Sequence, residues 1–412
     1  MRTVLANVNF RRLWISQILL ALGDALMQMG LLELFHAHHL DERAETAKLF
    51  FAVSLPGLVL GPVAIAYLDR WQRRGVLMIS DALRTVCVVG ILACLLPLMA
   101  GPITQRNLLP VYLIIGCIGS ITTFYLPARS ALLPNLVEAG DLVKANTLFA
   151  ASLAVAMVGG RALGGFVAEE MGVTWAVLAN AVAYVGSVAL LWRIRMTPHA
   201  TTVSTTDHPR GGWTEFRTGV AYLLEHPTAL PLVILAGIFA FLLAILVVTF
   251  IGYAMDTLGL RTGGVGYLIA AGGVGAAFGI GAFSKGKAWT QADWLPFAQL
   301  VVAAGALVAL SQTTSVWLAA GILVVLGAVA STVQIHIDAK LQAQVMDVRR
   351  GAVFAARGML TSATMIVAFG LQFGSAVFRR TPPPTVLWWL GIGTLAAALL
   401  TLLAMRVRSR AR

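Results

Sequence analysis

Twelve times along this chain, a run of about 20 mostly apolar residues is closed off by a polar connection. A run of that length crosses the roughly 30 Å hydrocarbon core of a bilayer as an α-helix. In lipid, a lone segment satisfies its own backbone only by being helical. The runs predict helices near residues 12–34, 47–68, 75–99, 108–129, 144–168, 173–194, 229–252, 263–283, 294–311, 314–335, 352–378 and 385–405. Charge usage agrees: 12% of residues are charged, against about 25% in a soluble domain. The pattern predicts an all-α integral membrane protein.

In a soluble chain a net charge of +12 would suggest nucleic acid, but here most of the cations lie between the apolar runs. They read as topology signals and contacts to anionic lipid head groups, with no nucleic acid implied. An even number of spans puts both termini on one side. The loops and tails on that side hold 21 Lys and Arg, whereas the other side holds six: Arg43, Lys48, Arg106, Arg261, Arg379 and Arg380. The positive-inside bias therefore predicts cytoplasmic termini. No small-residue cleavage site follows a short apolar core near the N-terminus, so the first run is expected to stay as a span. Cys87, Cys94 and Cys117 lie inside apolar runs without metal-like spacing and read as small buried hydrophobes.

The longest polar connection, RIRMTPHATTVSTTDHPRGGWTEFR, falls near the middle of the chain. Rich in Thr and Pro, it divides the sequence into a six-helix half at 1–194, a cytoplasmic linker at 195–228 and a second six-helix half at 229–412. The halves echo each other weakly: Ala131, Leu133 and Val137 match Ala339, Leu341 and Val345 at a constant offset of 208. The predicted fold is thus twelve transmembrane helices in two pseudo-symmetric halves, an organisation that suggests a secondary transporter with a site between the repeats.

These residues resemble the major facilitator superfamily along the whole chain. The loop after the second run, GPVAIAYLDRWQRRGVL, is similar to that superfamily's signature through Gly61, Asp69, Arg70, Arg73 and Arg74, and departs from it at Ile65 and Gln72, where glycines are usual. The resemblance implies alternating access, and a cytoplasmic latch in which Asp69, Arg70 and Arg73 work against the start of the eleventh helix near Gly351. Further stretches, including NFRRLWISQILLALGDALMQMG, YLPARSALLPNLVEAGDLVKANTL and LQAQVMDVRRGAVFAARGMLTSATM, resemble the branch holding enterobactin-exporter-like proteins and lysophospholipid transporters. That branch implies a bacterial inner-membrane protein that moves lysophospholipids, with membrane lipids, an amphiphilic substrate and a cytoplasmic acyltransferase acting on imported lysolipid as its partners.

A charge near the bilayer centre costs about 2.5–3.5 kcal/mol on insertion scales, so each one inside a span is a candidate for function. Asp24 lies roughly 18 Å along the first predicted helix, and Gln17, Asp24 and Gln28 share one face at spacings of seven and four. Arg161 sits in the fifth run within AMVGGRALGGFVAEE, and its depth suits a pair with Asp24. Two other readings stand beside that one. Gly160 and Gly164 make a G-x-x-x-G packing face next to it, and the side chain could also snorkel toward Glu169 and the outer surface. The resemblance adds that a proline often stands where this chain has Arg161, which favours an anion site over proton antiport. Arg129 and Arg357 could each meet a phosphate or serve as anchors, and Arg357 is grouped with the latch residues as a gating candidate. Asp81 and Arg84 are one turn apart and read as a structural pair. Gln334, His336 and Asp338 could form a polar gate, while His36, His38 and His39 read as solvated imidazoles rather than a metal site.

No nucleotide, metal-protease or nucleophile-elbow pattern is present, and the glycines of GGVGAAFGIG read as helix-packing positions, so neither enzyme activity nor a cofactor is expected. Three functions compete: lysophospholipid transport with Arg161 and Arg129 taking the phosphate, proton-coupled export of drugs or siderophores with Asp24 carrying the proton, and a transporter-like receptor.

Overall fold

The computed structural model describes residues 2–68, 71–99, 105–195, 212–226, 229–285 and 294–410. The regular secondary structure of the described residues is all helical, with twelve helices long and apolar enough to cross a membrane. In chain order they are α1 (Val8–Ala37), α2 (Glu42–Leu68), α3 (Arg73–Met99), α4 (Gln105–Leu132), α5 (Leu142–Met171), α6 (Val173–Trp192), α7 (Leu230–Gly252), α8 (Thr262–Lys285), α9 (Leu295–Gln312), α10 (Val316–Gln344), α11 (Asp347–Gly374) and α12 (Pro383–Arg410). Several outrun their apolar runs because local polar groups finish them. α1 begins at Val8 because the Asn7 side chain accepts from the amides of Asn9 and Phe10 at 3.0 and 3.1 Å, satisfying donors of the first turn.

The chain divides into two compact units. The first comprises Met1–Leu40 and Ala52–Thr214, the second Asp41–Phe51 and Glu215–Arg412. In the first, α1 packs on α5 and α6, and α3 packs on α4 and α6. The second repeats these pairings six helices on: α7 with α11 and α12, and α9 with α10 and α12. Glycines permit the tightest crossings. A Cβ on Gly119 of α4 would stand 2.3 Å from the Val53 carbonyl oxygen of α2. In the corresponding α8–α10 crossing, Cβ atoms on Gly275 and Gly327 would each stand 1.9 Å from a backbone oxygen. The glycine run of α8 is therefore a packing surface, as its spacing suggested.

Part of the expected linker is structured. Gly212–Glu225 forms a helix whose Tyr222 and Leu223 are buried in the core of the second unit, beside Val353 and Ala356 of α11. A Cβ on Gly219 would meet the Ala352 oxygen at 2.1 Å, so this helix lies close against α11. Phe216, Val220 and Leu223, at helical spacing, supply the apolar stripe that docks it. The Asp41–Phe51 segment also groups with the second unit. There Arg43 donates to the carbonyls of Thr381 and Arg379 at 2.9 and 3.1 Å, and Phe50 stacks on Phe369 with centroids 5.3 Å apart.

The basic cluster at the start of α3 is spent on helix ends within the first unit. Arg73 donates to the Ala131 carbonyl at the end of α4 at 2.8 Å, and Arg74 donates to the Leu191 carbonyl at 3.0 Å and to that of Trp192, closing α6. Cations at C-terminal carbonyls complement the helix dipole. Arg74→Ala is expected to destabilise by about 0.3–1 kcal/mol, read as a small drop in thermal midpoint in detergent with the transport rate per folded molecule unchanged.

Candidate functional site

Inside the first unit, four helices bring their polar side chains to one buried network. α1 contributes Gln17 and Asp24, α3 contributes Asp81 and Arg84, α4 contributes Thr122, Tyr125 and Arg129, and α6 contributes Asn180, Tyr184 and Ser187. Glycine makes the α1–α6 approach possible. A Cβ on Gly23 would lie 2.5 Å from Asn180 Oδ1 and 2.9 Å from Ala183 Cβ, so the residue just before Asp24 has to be bare for α6 to come this close.

Asp24 is half-buried and accepts a 2.6 Å hydrogen bond from the Tyr184 hydroxyl. Asn180 faces the same carboxylate and donates through Nδ2 to Met27 Sδ at 3.2 Å. The hydrogen-bond partners of Asp24 are thus neutral and it forms no ion pair among the described residues, while Arg84 acts on it electrostatically without touching it. Asp81 is fully buried and fully engaged: one oxygen meets Arg84 Nη1 at 3.3 Å and the other accepts from Ser187 Oγ at 2.6 Å. Arg84, 4% exposed, also donates to Thr122 Oγ1 at 2.8 Å and lies over the ring of Tyr125 at 4.3 Å and of Tyr184 at 5.8 Å. Gln17 completes the assembly by donating to the Tyr125 hydroxyl and accepting from Arg129 Nη1 at 3.4 Å.

The expected Asp24–Arg161 pair does not form. Arg161 is half-buried on α5 and makes no hydrogen bond or ion pair among the described residues. Its neighbours explain why. Gly160 and Gly164 carry the α1 contact, where Cβ atoms would stand 2.8 Å from Ala25 Cβ and 2.8 Å from Leu26 Cα. One residue further along a helix is turned by about 100°, so Arg161 is directed off that contact. Gln28 is half-buried on α1 and makes no hydrogen bond among the described residues.

In the second unit Arg357 of α11 pairs with Asp338 of α10 at 2.6 Å, and Gln334 donates to the other Asp338 oxygen at 3.5 Å. Asp69 and Arg70 lie outside the described residues. No group of three or more His, Cys, Asp or Glu side chains placed to hold a metal ion occurs among the described residues.

Sequence reasoning passed over Thr122, Tyr125, Asn180, Tyr184 and Ser187, and treated Asp81–Arg84 as a detached pair. A signal was available on α6. Asn180, Tyr184 and Ser187 recur at spacings of four and three in an otherwise apolar run, the same polar-stripe pattern that marked α1.

The Major Facilitator Superfamily model matches residues 13–369. The chain belongs to that superfamily: it is a secondary transporter and not an enzyme. An uncharacterized MFS-type transporter of Mycobacterium tuberculosis is 28% identical, covering 92% of this chain and 90% of the relative. BacE of Bacillus subtilis, named as a candidate bacilysin exporter, is 30% identical over 46% of this chain and 44% of its own length. Among solved structures, the nucleoside transporter NupG matches with a TM-score of 0.73 at 12% identity, covering 96% of this chain and 99% of that one. At that identity it speaks for the fold alone.

Proposed function

We propose that this protein is a proton-coupled exporter of amphiphilic small molecules of the drug or siderophore kind, with Asp24 as the residue that carries the proton. The observation that supports this most is the setting of Asp24, a half-buried carboxylate within a membrane span whose hydrogen-bond partner is the neutral Tyr184 hydroxyl. With no cation bound to it, taking up a proton requires no ion pair to be broken. Export is favoured by the partial match to BacE. The protein sits in the bacterial plasma membrane with cytoplasmic termini, as the 21-to-six distribution of basic residues indicates. Alternating access carries the substrate, and Asp69, Arg70 and Arg357 serve its gates, Arg73 being held on the Ala131 carbonyl. The test is substrate-driven proton movement in proteoliposomes. Wild type moves protons when substrate is added, Asp24→Glu retains the response, and an unchanged response in Asp24→Asn would remove the assignment.

Arg161 favours a second reading, lysophospholipid transport. A half-buried guanidinium with no partner among the described residues suits a phosphate head group. Arg129, held only by a long 3.4 Å bond to Gln17, is a second cation available to an anionic head group. On this reading Arg161→Ala lowers uptake of labelled lysophosphatidylethanolamine by tenfold or more, about 1.4 kcal/mol, at equal expression. Unchanged uptake would dismiss the phosphate role.

A further inference from the structure

We infer that Asp24, Asp81 and Arg84 act as one charge-balanced triad holding a single proton, and that the site exchanges this proton for one positive charge on an amphiphilic substrate. The inference rests on the proposed proton coupling through Asp24 and adds to it a stoichiometry, a substrate charge and a role for the Asp81–Arg84 pair.

The geometry joins the three groups. Arg84 is bound to Asp81 at 3.3 Å, and its guanidinium lies over Tyr184, whose hydroxyl donates to Asp24. Arg84 interacts electrostatically with both carboxylates, and the two carboxylates with each other. Its Nε is buried without a hydrogen-bond partner, which leaves the guanidinium a spare donor. The other groups around the triad are neutral: Gln17 from α1, Cys87 from α3, Thr122 and Tyr125 from α4, and Asn180 and Ser187 from α6. Arg129, beyond Gln17 and Tyr125, is half-buried and bonded to Gln17 at 3.4 Å, and it forms no ion pair with the triad among the described residues.

Two carboxylates and one guanidinium leave one negative charge over when all three are ionised. Such an excess is costly inside a membrane span, so the resting triad keeps one proton. Asp81 is the ionised member, because Arg84 and Ser187 occupy its two oxygens. The proton therefore rests on Asp24, whose other oxygen accepts from Tyr184. When a cationic amphiphile enters, the Asp24 O–H bond breaks, its electron pair stays on oxygen, and the proton passes to water. The new carboxylate then balances the substrate's charge. Release of the substrate reverses the step, with a proton taken back from the opposite side.

Tetraphenylphosphonium serves as a lipophilic monocation for the test, with the full chain purified in weakly buffered detergent. Binding is measured by equilibrium dialysis and proton release by a pH indicator. Wild type is expected to release one proton per cation bound. Asp81→Asn leaves Asp24 as the one carboxylate of the triad balancing Arg84, already ionised, so release falls from one to none and affinity weakens by tenfold or more. Asp81→Glu, which keeps the charge count, keeps the ratio at one. Asp81→Asn combined with Arg84→Gln returns Asp24 to a lone protonated acid and restores release to one per cation, a rescue that a purely structural pair would not give.

If Asp81→Asn still releases one proton, or the double variant binds the cation and releases none, the triad is overturned. Failure of wild type to bind the cation overturns the substrate charge. Release that persists in Asp24→Asn would instead bring down the proton-coupling assignment itself. Loss of release in Asp24→Asn, with a normal ratio in Asp81→Asn, brings down the triad alone.

Discussion

Asp24→Asn is expected to abolish transport driven by a pH gradient, by about 10²-fold or more, while leaving the protein folded. An asparagine oxygen at the same place still accepts from the Tyr184 hydroxyl that now bonds Asp24 Oδ1 at 2.6 Å. Packing is nearly isosteric, and a neutral amide takes the place of an acid that rests neutral, so burial adds no charge penalty. What disappears is the ability to gain and lose a proton. Thermal midpoints of wild type and variant in detergent should therefore agree within a few degrees, while substrate accumulation in proteoliposomes collapses. A variant that accumulated substrate normally under the same gradient would mean that coupling lies elsewhere in the chain.

Gly23→Val should be almost as damaging without touching a polar atom. Its first carbon would already stand 2.5 Å from Asn180 Oδ1, 2.9 Å from Ala183 Cβ and 3.1 Å from Asn180 Cα, and valine adds two more carbons. Because the third of these contacts is backbone, α6 as a whole must retreat from α1. Overpacking of this kind costs about 1–3 kcal/mol, and we place this substitution at the upper end. The same retreat opens the Tyr184–Asp24 bond, so coupling is lost along with stability. The prediction is checked by a lowered thermal midpoint together with impaired proton-coupled transport; a native midpoint would show that α6 is not held where the structure has it. Gly23→Ala should show a milder form of both effects.

The fold was legible because membrane spans announce themselves by length: each apolar run is as long as the bilayer is thick, and turn chemistry separates them. Ends were harder. Asn7 caps α1 in advance of its apolar run, a signal present in the sequence but weaker than hydropathy. The Gly212–Glu225 helix was hidden by the Thr/Pro-rich residues ahead of it, although Phe216, Val220 and Leu223 already carried its docking stripe. Asp24 was legible as a candidate because an acid at that depth is rare.

The partner of Asp24 was not legible, for a geometric reason. Position along two helices fixes depth, which suited Arg161, but the direction around the helix axis depends on which face packs, and on α5 Gly160 and Gly164 take the α1 contact. Tyr184 is the partner, brought in by an α6 that Gly23 allows to approach. The Asp81–Arg84 pair shows a related limit. Its i,i+3 spacing gave the bond, but only the packing of α3 against α6 sets that bond beside Tyr184.

The most direct measurement is tetraphenylphosphonium flux in proteoliposomes of the wild-type protein, with an imposed pH gradient and with a protonophore. Exchange of protons for substrate predicts that an acidic lumen drives the cation inward and that the protonophore abolishes this accumulation. Flux indifferent to both, with lysophosphatidylethanolamine carried instead, would contradict proton coupling and leave Arg161 as the residue that matters.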